Sequence, residues 1–174
     1  MRYLPNGKQM SEADAHTIHE IGIPSLVLME RAALQIVETM HKKNISTEKS
    51  LIVCGSGNNG GDGFAVARLL TEQGKHADVL FAGKEASLSE ECRCQKQIVE
   101  NMGISVFTEF PDEEYTVIID AVFGVGLCRE ITEHYKDVID WMNLQDAEKV
   151  AVDIPSGICA ATGKILGTAF RADL

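Results

Sequence analysis

The chain predicts an α/β domain in which a mostly parallel sheet carries helices on both faces. Short apolar runs recur along it: Leu51-Ile-Val-Cys54, Ala77-Asp-Val-Leu-Phe-Ala82, Ile104 to Thr108, Tyr115-Thr-Val-Ile-Ile-Asp120 and Lys149 to Ile154. Near-continuous apolar character marks strands buried on both faces. Segments with helical spacing alternate with these runs, as in parallel strands joined by crossover helices. The first run leads directly into Gly55-Ser-Gly-Asn-Asn-Gly-Gly-Asp-Gly63 and then into a helical pattern, Phe64-Ala-Val-Ala-Arg-Leu-Leu70.

Before the first strand, Ser11-Glu-Ala-Asp14 has the form of a capping box and predicts a helix from Ser11 to about Glu20, broken by Gly22. Pro24 suits the first turn of a second helix, whose apolar positions Val27, Leu28, Met29, Ala32, Ala33, Ile36, Val37 and Met40 run to about Lys43. After the first strand a helix spans Gly61 to Gln73 with Gly74 beyond its end. Ser87 or Ser89 caps a helix reaching Met102, and Gly103 ends it; Glu133 to Met142 forms the last. Right-handed crossovers leave few ways to connect five such strands. The expected result is a Rossmann-like three-layer αβα sandwich, strand order 3-2-1-4-5, with the N-terminal helices packed outside.

At 174 residues one domain is expected, covering 1–174. A net charge of -10 argues against a nucleic-acid or anionic-membrane surface, which needs a basic patch. No apolar run reaches the ~20 residues that span a bilayer, and Met1 to Lys8 is too polar for a signal peptide. Cysteines at 54, 92, 94, 128 and 159 are odd in number and include no C-x-x-C pair. They read as reduced thiols, and together these features point to the cytoplasm. His16 and His19, three apart on the first helix, lack a third ligand nearby and read as surface or packing residues.

In the expected order, strands 1, 4 and 5 are neighbours, and ligands bind beyond their carboxyl ends. Three loops meet there: Gly55 to Asp62, Asp120-Ala-Val-Phe-Gly-Val-Gly-Leu-Cys-Arg-Glu130, and Asp153-Ile-Pro-Ser-Gly157. A glycine-rich turn before a helix N-terminus offers unpaired N–H groups and a favourable dipole to a phosphate. Gly55-x-Gly57-x-x-Gly60 matches a dinucleotide fingerprint, but strand 2 ends Phe81-Ala-Gly-Lys84, without the acidic residue that holds a ribose. No Gly-Lys-Ser/Thr follows the glycines, which excludes a Walker loop. Asp62 reads either as a helix N-cap or as a ligand contact. Asn59, Asp120 and Ser156 offer hard oxygen donors from the three loops. They are too few in charge for a dedicated divalent cage and suit a weakly held monovalent cation better.

These residues resemble the NAD(P)H-hydrate epimerase family. The likeness is carried by Gly57-Asn-Asn-Gly-Gly-Asp-Gly63, Asp120 to Arg129 and Asp153-Ile-Pro-Ser-Gly157, with Gln9 to Asp14 and Leu28-Met-Glu-Arg-Ala32 in support. The resemblance implies interconversion of the R and S forms of hydrated NADH and NADPH, damage products in which water has added across the nicotinamide ring. A dehydratase, fused or separate, then consumes the S form. Position by position, it implies that Asn58, Asn59, Gly60, Gly61 and Asp62, with Gly124, Val125, Gly126, Leu127, Cys128, Arg129 and Glu130, bind the hydrate. It further implies that Asp153 contacts the reacting end, and that Asn59, Asp120 and Ser156 hold one potassium ion per subunit. Asp153 is then the proton shuttle, protonating the departing oxygen and deprotonating water on the other face. The family continues past Leu174 into another strand and a closing segment, so a C-terminally truncated domain is expected. The loop Arg129-Glu-Ile-Thr132 lacks a proline that many relatives carry. An apolar face left open on the second helix would favour a homodimer. The rival expectation is a non-catalytic scaffold of the same fold, against which the retained Asn58, Asn59, Asp62, Asp120 and Asp153 speak.

Overall fold

Strand residues alternate sides, so an unbroken apolar run must be covered on both. In β1 (Lys49–Cys54), Leu51 and Val53 turn to one face and Ile52 and Cys54 to the other, all fully buried. The same division separates Val79 and Phe81 from Leu80 in β2 (His76–Phe81), and Val117 and Ile119 from Ile118 in β4 (Val117–Ala121). With β3 (Val106–Phe107) and β5 (Glu148–Ala151) they form one parallel sheet in the order β3-β2-β1-β4-β5, the expected topology. This computed structural model describes residues 7–174, so most of the polar stretch from Met1 to Lys8 lies outside the described residues.

One face is covered by α2 (Ser25–Lys42), α3 (Asn58–Glu72) and α4 (Glu90–Asn101), through Ala33, Val37, Met40, Phe64, Leu70, Cys92 and Val99. The other is covered by α5 (Glu133–Leu144), through Val138, Ile139 and Met142, and by Phe170 of the C-terminal segment. On the free edge of β5, Leu174 accepts from the Ala151 N–H and donates to the Lys149 carbonyl. α1 (Gly7–His16) continues into a π-helical turn, Thr17–Ile21, and buries none of its residues. All five thiols are unpaired, and no helix among the described residues is long and apolar enough to cross a membrane.

Gly22, Gly74 and Gly103 close their helices with positive φ, and Ser89 caps α4 by accepting from the Cys92 N–H at 3.2 Å. Several boundaries differ from expectation. Ser11 is not a cap: α1 is already helical at Gly7, because Lys8, Gln9 and Met10 are good helix formers and nothing there breaks the turn. Pro24 is the N-cap residue of α2 rather than its first turn. α3 begins at Asn58, three residues before the expected Gly61, with Gly57 as its extended N-cap. The glycines after it serve close packing, not a loop. A Cβ on Gly60 would lie 2.0 Å from the Gly55 carbonyl oxygen, and one on Gly61 would lie 2.6 Å from Met29 Cε. A Cβ on Gly63 would meet Ala121 Cβ at 2.4 Å. Asp62 is therefore inside the helix, and the N-cap reading of it is wrong. β5 stops at Ala151 rather than Ile154, since Asp153 and Ser156 turn to accept from the Val125 and Phe123 N–H groups of the loop after β4. β3 is reduced to two residues at the sheet edge.

Candidate active site

The register sets Cys54 beside both Phe81 and Ala121, and Asp120 beside Ala151, so the strands finish level and their following loops share one end of the sheet. A cavity of about 730 Å³ opens there. Beside it sits Asp120, 1 % exposed, the penultimate residue of β4. Its Oδ2 accepts from the Ser156 N–H at 2.7 Å, while Oδ1 accepts from Ser156 Oγ at 2.7 Å and from the Val122 N–H at 3.1 Å. Ser156 Oγ in turn accepts from the Phe123 N–H at 2.9 Å. Asp120 and Ser156 thus clamp the loop after β4 to the loop after β5. Burial outweighs these donors and raises the Asp120 carboxyl to about 6.

Asp153 faces the cavity and is exposed. Its Oδ2 accepts from the Val125 N–H at 2.9 Å, which fixes that oxygen under the loop 124–129. Gly124 admits this arrangement: a Cβ there would stand 2.7 Å from Asp153 Oδ2 and 3.3 Å from Asn59 Oδ1. Asn59, in the first turn of α3, has a buried Nδ2 with no partner among the described residues. One turn on, Asp62 also lines the cavity. Its burial, and then the charges of Asp153 and Asp14, push its carboxyl up to about 7. The remaining wall is apolar, with Val122, Phe123, Val125, Leu127, Tyr135 and Val152; Phe123 and Tyr135 meet edge to face at 4.7 Å.

The cavity therefore combines the open N-terminus of α3, carboxyls from α1, α3 and the loop after β5, apolar walls, and one cation among its lining residues, Arg129. Such a site suits an anionic ligand with an apolar portion, and offers it proton exchange. Of the residues singled out in the sequence, Asn58, Asn59, Asp62, Gly124, Val125, Gly126, Leu127, Cys128, Arg129 and Asp153 line it together. Gly60 and Gly61 instead lie buried in the packing of α3, Glu130 is exposed beyond the wall, and Asp120 and Ser156 lie behind it. Sequence reasoning missed Met10 and Asp14 of α1, Ala32 and Ile36 of α2, and Ser87 and Tyr135. Their only trace was that Gln9 to Asp14 and Leu28 to Ala32 belonged to the resembling stretches. His16 and His19 are exposed on α1 and the π turn. Among the described residues, the one trio of His, Asp and Glu atoms close enough to share an ion is His76, Asp78 and Glu113, at the opposite end of the sheet. There Asp78 is bonded to His76 at 2.9 Å and accepts from the Tyr115 hydroxyl at 3.1 Å, and Glu113 pairs with Lys49.

Residues 25–174 match the family described as YjeF-related protein N-terminus. A protein of Weissella koreensis named NAD(P)H-hydrate epimerase is 42% identical over 94% of this chain and 75% of its own length. Its namesake from Limosilactobacillus reuteri is 44% identical over 97% of this chain and 81% of its own. The crystal structure of yeast ynu0 superposes with a TM-score of 0.85 at 21% identity, covering 98% of this chain and 78% of that one, which shows a common fold.

Proposed function

Since the chain belongs to the YjeF-related protein N-terminus family, we propose that it is an NAD(P)H-hydrate epimerase, an isomerase that interconverts the R and S forms of hydrated NADH and NADPH in nicotinamide-cofactor repair. The observation that carries this reading is the 42–44% identity, over nearly all of the chain, to proteins bearing that name. Residues 1–174 act as one epimerase domain. Asn58, Asn59 and Asp62, with Gly124 to Arg129, hold the hydrate, the α3 N-terminus and Arg129 receiving its phosphates and the apolar wall its ring.

The reacting carbon carries a hydroxyl and is bonded to the ring nitrogen. Donation from the nitrogen lone pair weakens the C–O bond, and loss of the hydroxyl as water leaves a planar iminium. Water returning to the other face gives the opposite epimer. Asp153 exchanges protons with oxygen at that carbon, its unpinned carboxylate oxygen being free to do so. Asn59, Asp120 and Ser156 fit a weakly held potassium ion. All three present oxygens beside the cavity, Asp120 supplies buried negative charge, and the orphaned Asn59 amide suits an orientation with its oxygen turned inward. The ion would offset charge there and stiffen the clamp between the two loops. Exposed Ile21, Leu26, Val27 and Leu34 around α2 support a homodimer. A fused or separate dehydratase consumes the product, and the setting is cytoplasmic.

The test is direct. Purified R or S hydrate of NADPH is incubated with the protein and the epimers are separated chromatographically. A single epimer should relax to the equilibrium mixture. Asp153→Asn should bind hydrate but invert it ~100-fold or more slowly; unchanged turnover removes Asp153 from the mechanism.

A further inference from the structure

Inversion through a planar cation demands proton transfer on both faces of the ring. Oxygen leaves protonated on one side and arrives as water, losing a proton, on the other. Asp153 is poorly suited to serve both sides. Its Oδ2 is held by the Val125 N–H and packed against Gly124, so its carboxyl stays with the loop after β5. A second carboxyl reaches the same cavity from a different element: Asp62, in the opening turns of α3. We propose that Asp62 is a second catalytic residue of the epimerisation, exchanging protons on the ring face opposite to the one served by Asp153. This rests on the epimerase reading.

The surroundings of Asp62 suit a proton donor. No donor among the described residues hydrogen-bonds its carboxyl, in contrast to Asp120, which accepts three such bonds. The charged and titratable groups around it are Asp153 on the loop after β5, Asp14 on α1 and Cys92 on α4, with Arg129 across the cavity. Burial disfavours a charge here, and the neighbouring carboxylates do the same, so this carboxyl holds its proton up to about pH 7. The step balances. Protonated Asp62 gives its proton to the hydroxyl and the C–O pair leaves with the oxygen as water, while the nitrogen lone pair forms the C=N bond. Water then attacks the far face, its proton passes to the Asp153 carboxylate, and the C=N pair returns to nitrogen. Proton exchange with solvent restores both carboxyls, and the reverse reaction uses them in exchanged roles.

Oxygen-isotope exchange separates the two faces. Each pure epimer of hydrated NADPH is incubated in H2 18O with wild-type protein, Asp62→Asn or Asp153→Asn. Inversion is followed by chiral separation and label by mass spectrometry, above the uncatalysed background. Wild type should invert and incorporate label together. Asp62→Asn should invert ~100-fold or more slowly, yet still exchange the hydroxyl of one epimer with retention, and Asp153→Asn should do so for the other epimer only. Folding of both variants is verified by thermal melting, and binding by the melting shift that hydrate produces. Asp62→Asn inverting within about threefold of wild type overturns the assignment, as does loss of all exchange in Asp153→Asn with both epimers. A wild-type protein that neither inverts nor exchanges overturns the epimerase reading, and this assignment with it.

Discussion

Replacing Asp62 by Asn tests the buried carboxyl without substrate. In the unfolded chain this group titrates near 3.8, and in the fold near 7. Between those values the folded state keeps a proton that the unfolded state has released. Stability therefore declines as pH rises: the contribution of the neutral carboxyl is complete below 3.8 and gone once pH has passed 7. A shift of that size corresponds to about 4 kcal/mol, of which about two thirds falls between pH 5 and pH 8. Solvent reaches the carboxyl through the cavity mouth, which reduces the expected swing to about 1–2 kcal/mol. Asn has nearly the same shape and does not titrate. Urea unfolding of both proteins at pH 5 and pH 8, at one ionic strength, yields the difference in unfolding free energy at each pH. That difference should move by about 1–2 kcal/mol in favour of Asp62→Asn on going to pH 8. Other titrating groups, Asp120 included, largely cancel in the comparison. A difference that is the same at both pH values refutes the argument that burial and neighbouring carboxylates hold the proton on Asp62.

Gly124→Ala drives a methyl to within 2.7 Å of Asp153 Oδ2. It should cost about 10–100-fold in epimerase turnover while changing unfolding free energy by less than about 1 kcal/mol, measured by chiral assay and urea titration. Ser156→Ala removes the hydroxyl that joins Asp120 to the Phe123 N–H. It should cost about 1–3 kcal/mol in the same titration. If potassium binds at Asn59, Asp120 and Ser156, melting should be higher in potassium chloride than in choline chloride. The gain is about 2.7 kcal/mol at a hundredfold excess over the dissociation constant, and Asn59→Ala should abolish it. Gly157 combines a φ of 97° with a Cβ position 1.9 Å from the Thr168 carbonyl oxygen. Gly157→Ala should therefore lose about 2 kcal/mol or more, read as a lowered melting temperature.

The sheet was legible because its strands carry their own signal. Leu51 to Cys54 and Val117 to Ile119 are apolar at every position, which fits a strand covered on both sides, and crossover handedness leaves few orders, the observed one among them. That order alone places Asn59, Asp120 and Asp153 at one end of the sheet. What escaped was whatever depends on where a separate element packs. Asp14 reads as part of a helix cap, yet it stands by the cavity because α1 lies over the open ends of the strands. Nothing within residues 7–16 specifies that placement, since the helix buries none of its own side chains.

The glycine-rich run shows why a motif can be located and still be misjudged. As a loop, it would cradle phosphate with its backbone, and Asp62 would be an awkward anion at its end. As the first turns of α3, it works by close approach. Gly60 lets the helix rest against the Gly55 carbonyl, Gly61 lets it pass Met29, and Gly63 sets it against Ala121. A helix seated that deeply carries Asp62 down with it, away from water and toward Asp153. The small residues and the acidic residue are then parts of one device: the glycines supply the burial, and burial makes a carboxyl able to give up a proton at neutral pH. By this argument Gly61→Ala, which must displace Met29 or lift the helix, should expose Asp62 and narrow the pH-dependent stability gap between that variant and its Asp62→Asn double mutant. An unaltered gap in the double-mutant titration would separate the glycines from the carboxyl and leave them as packing residues alone.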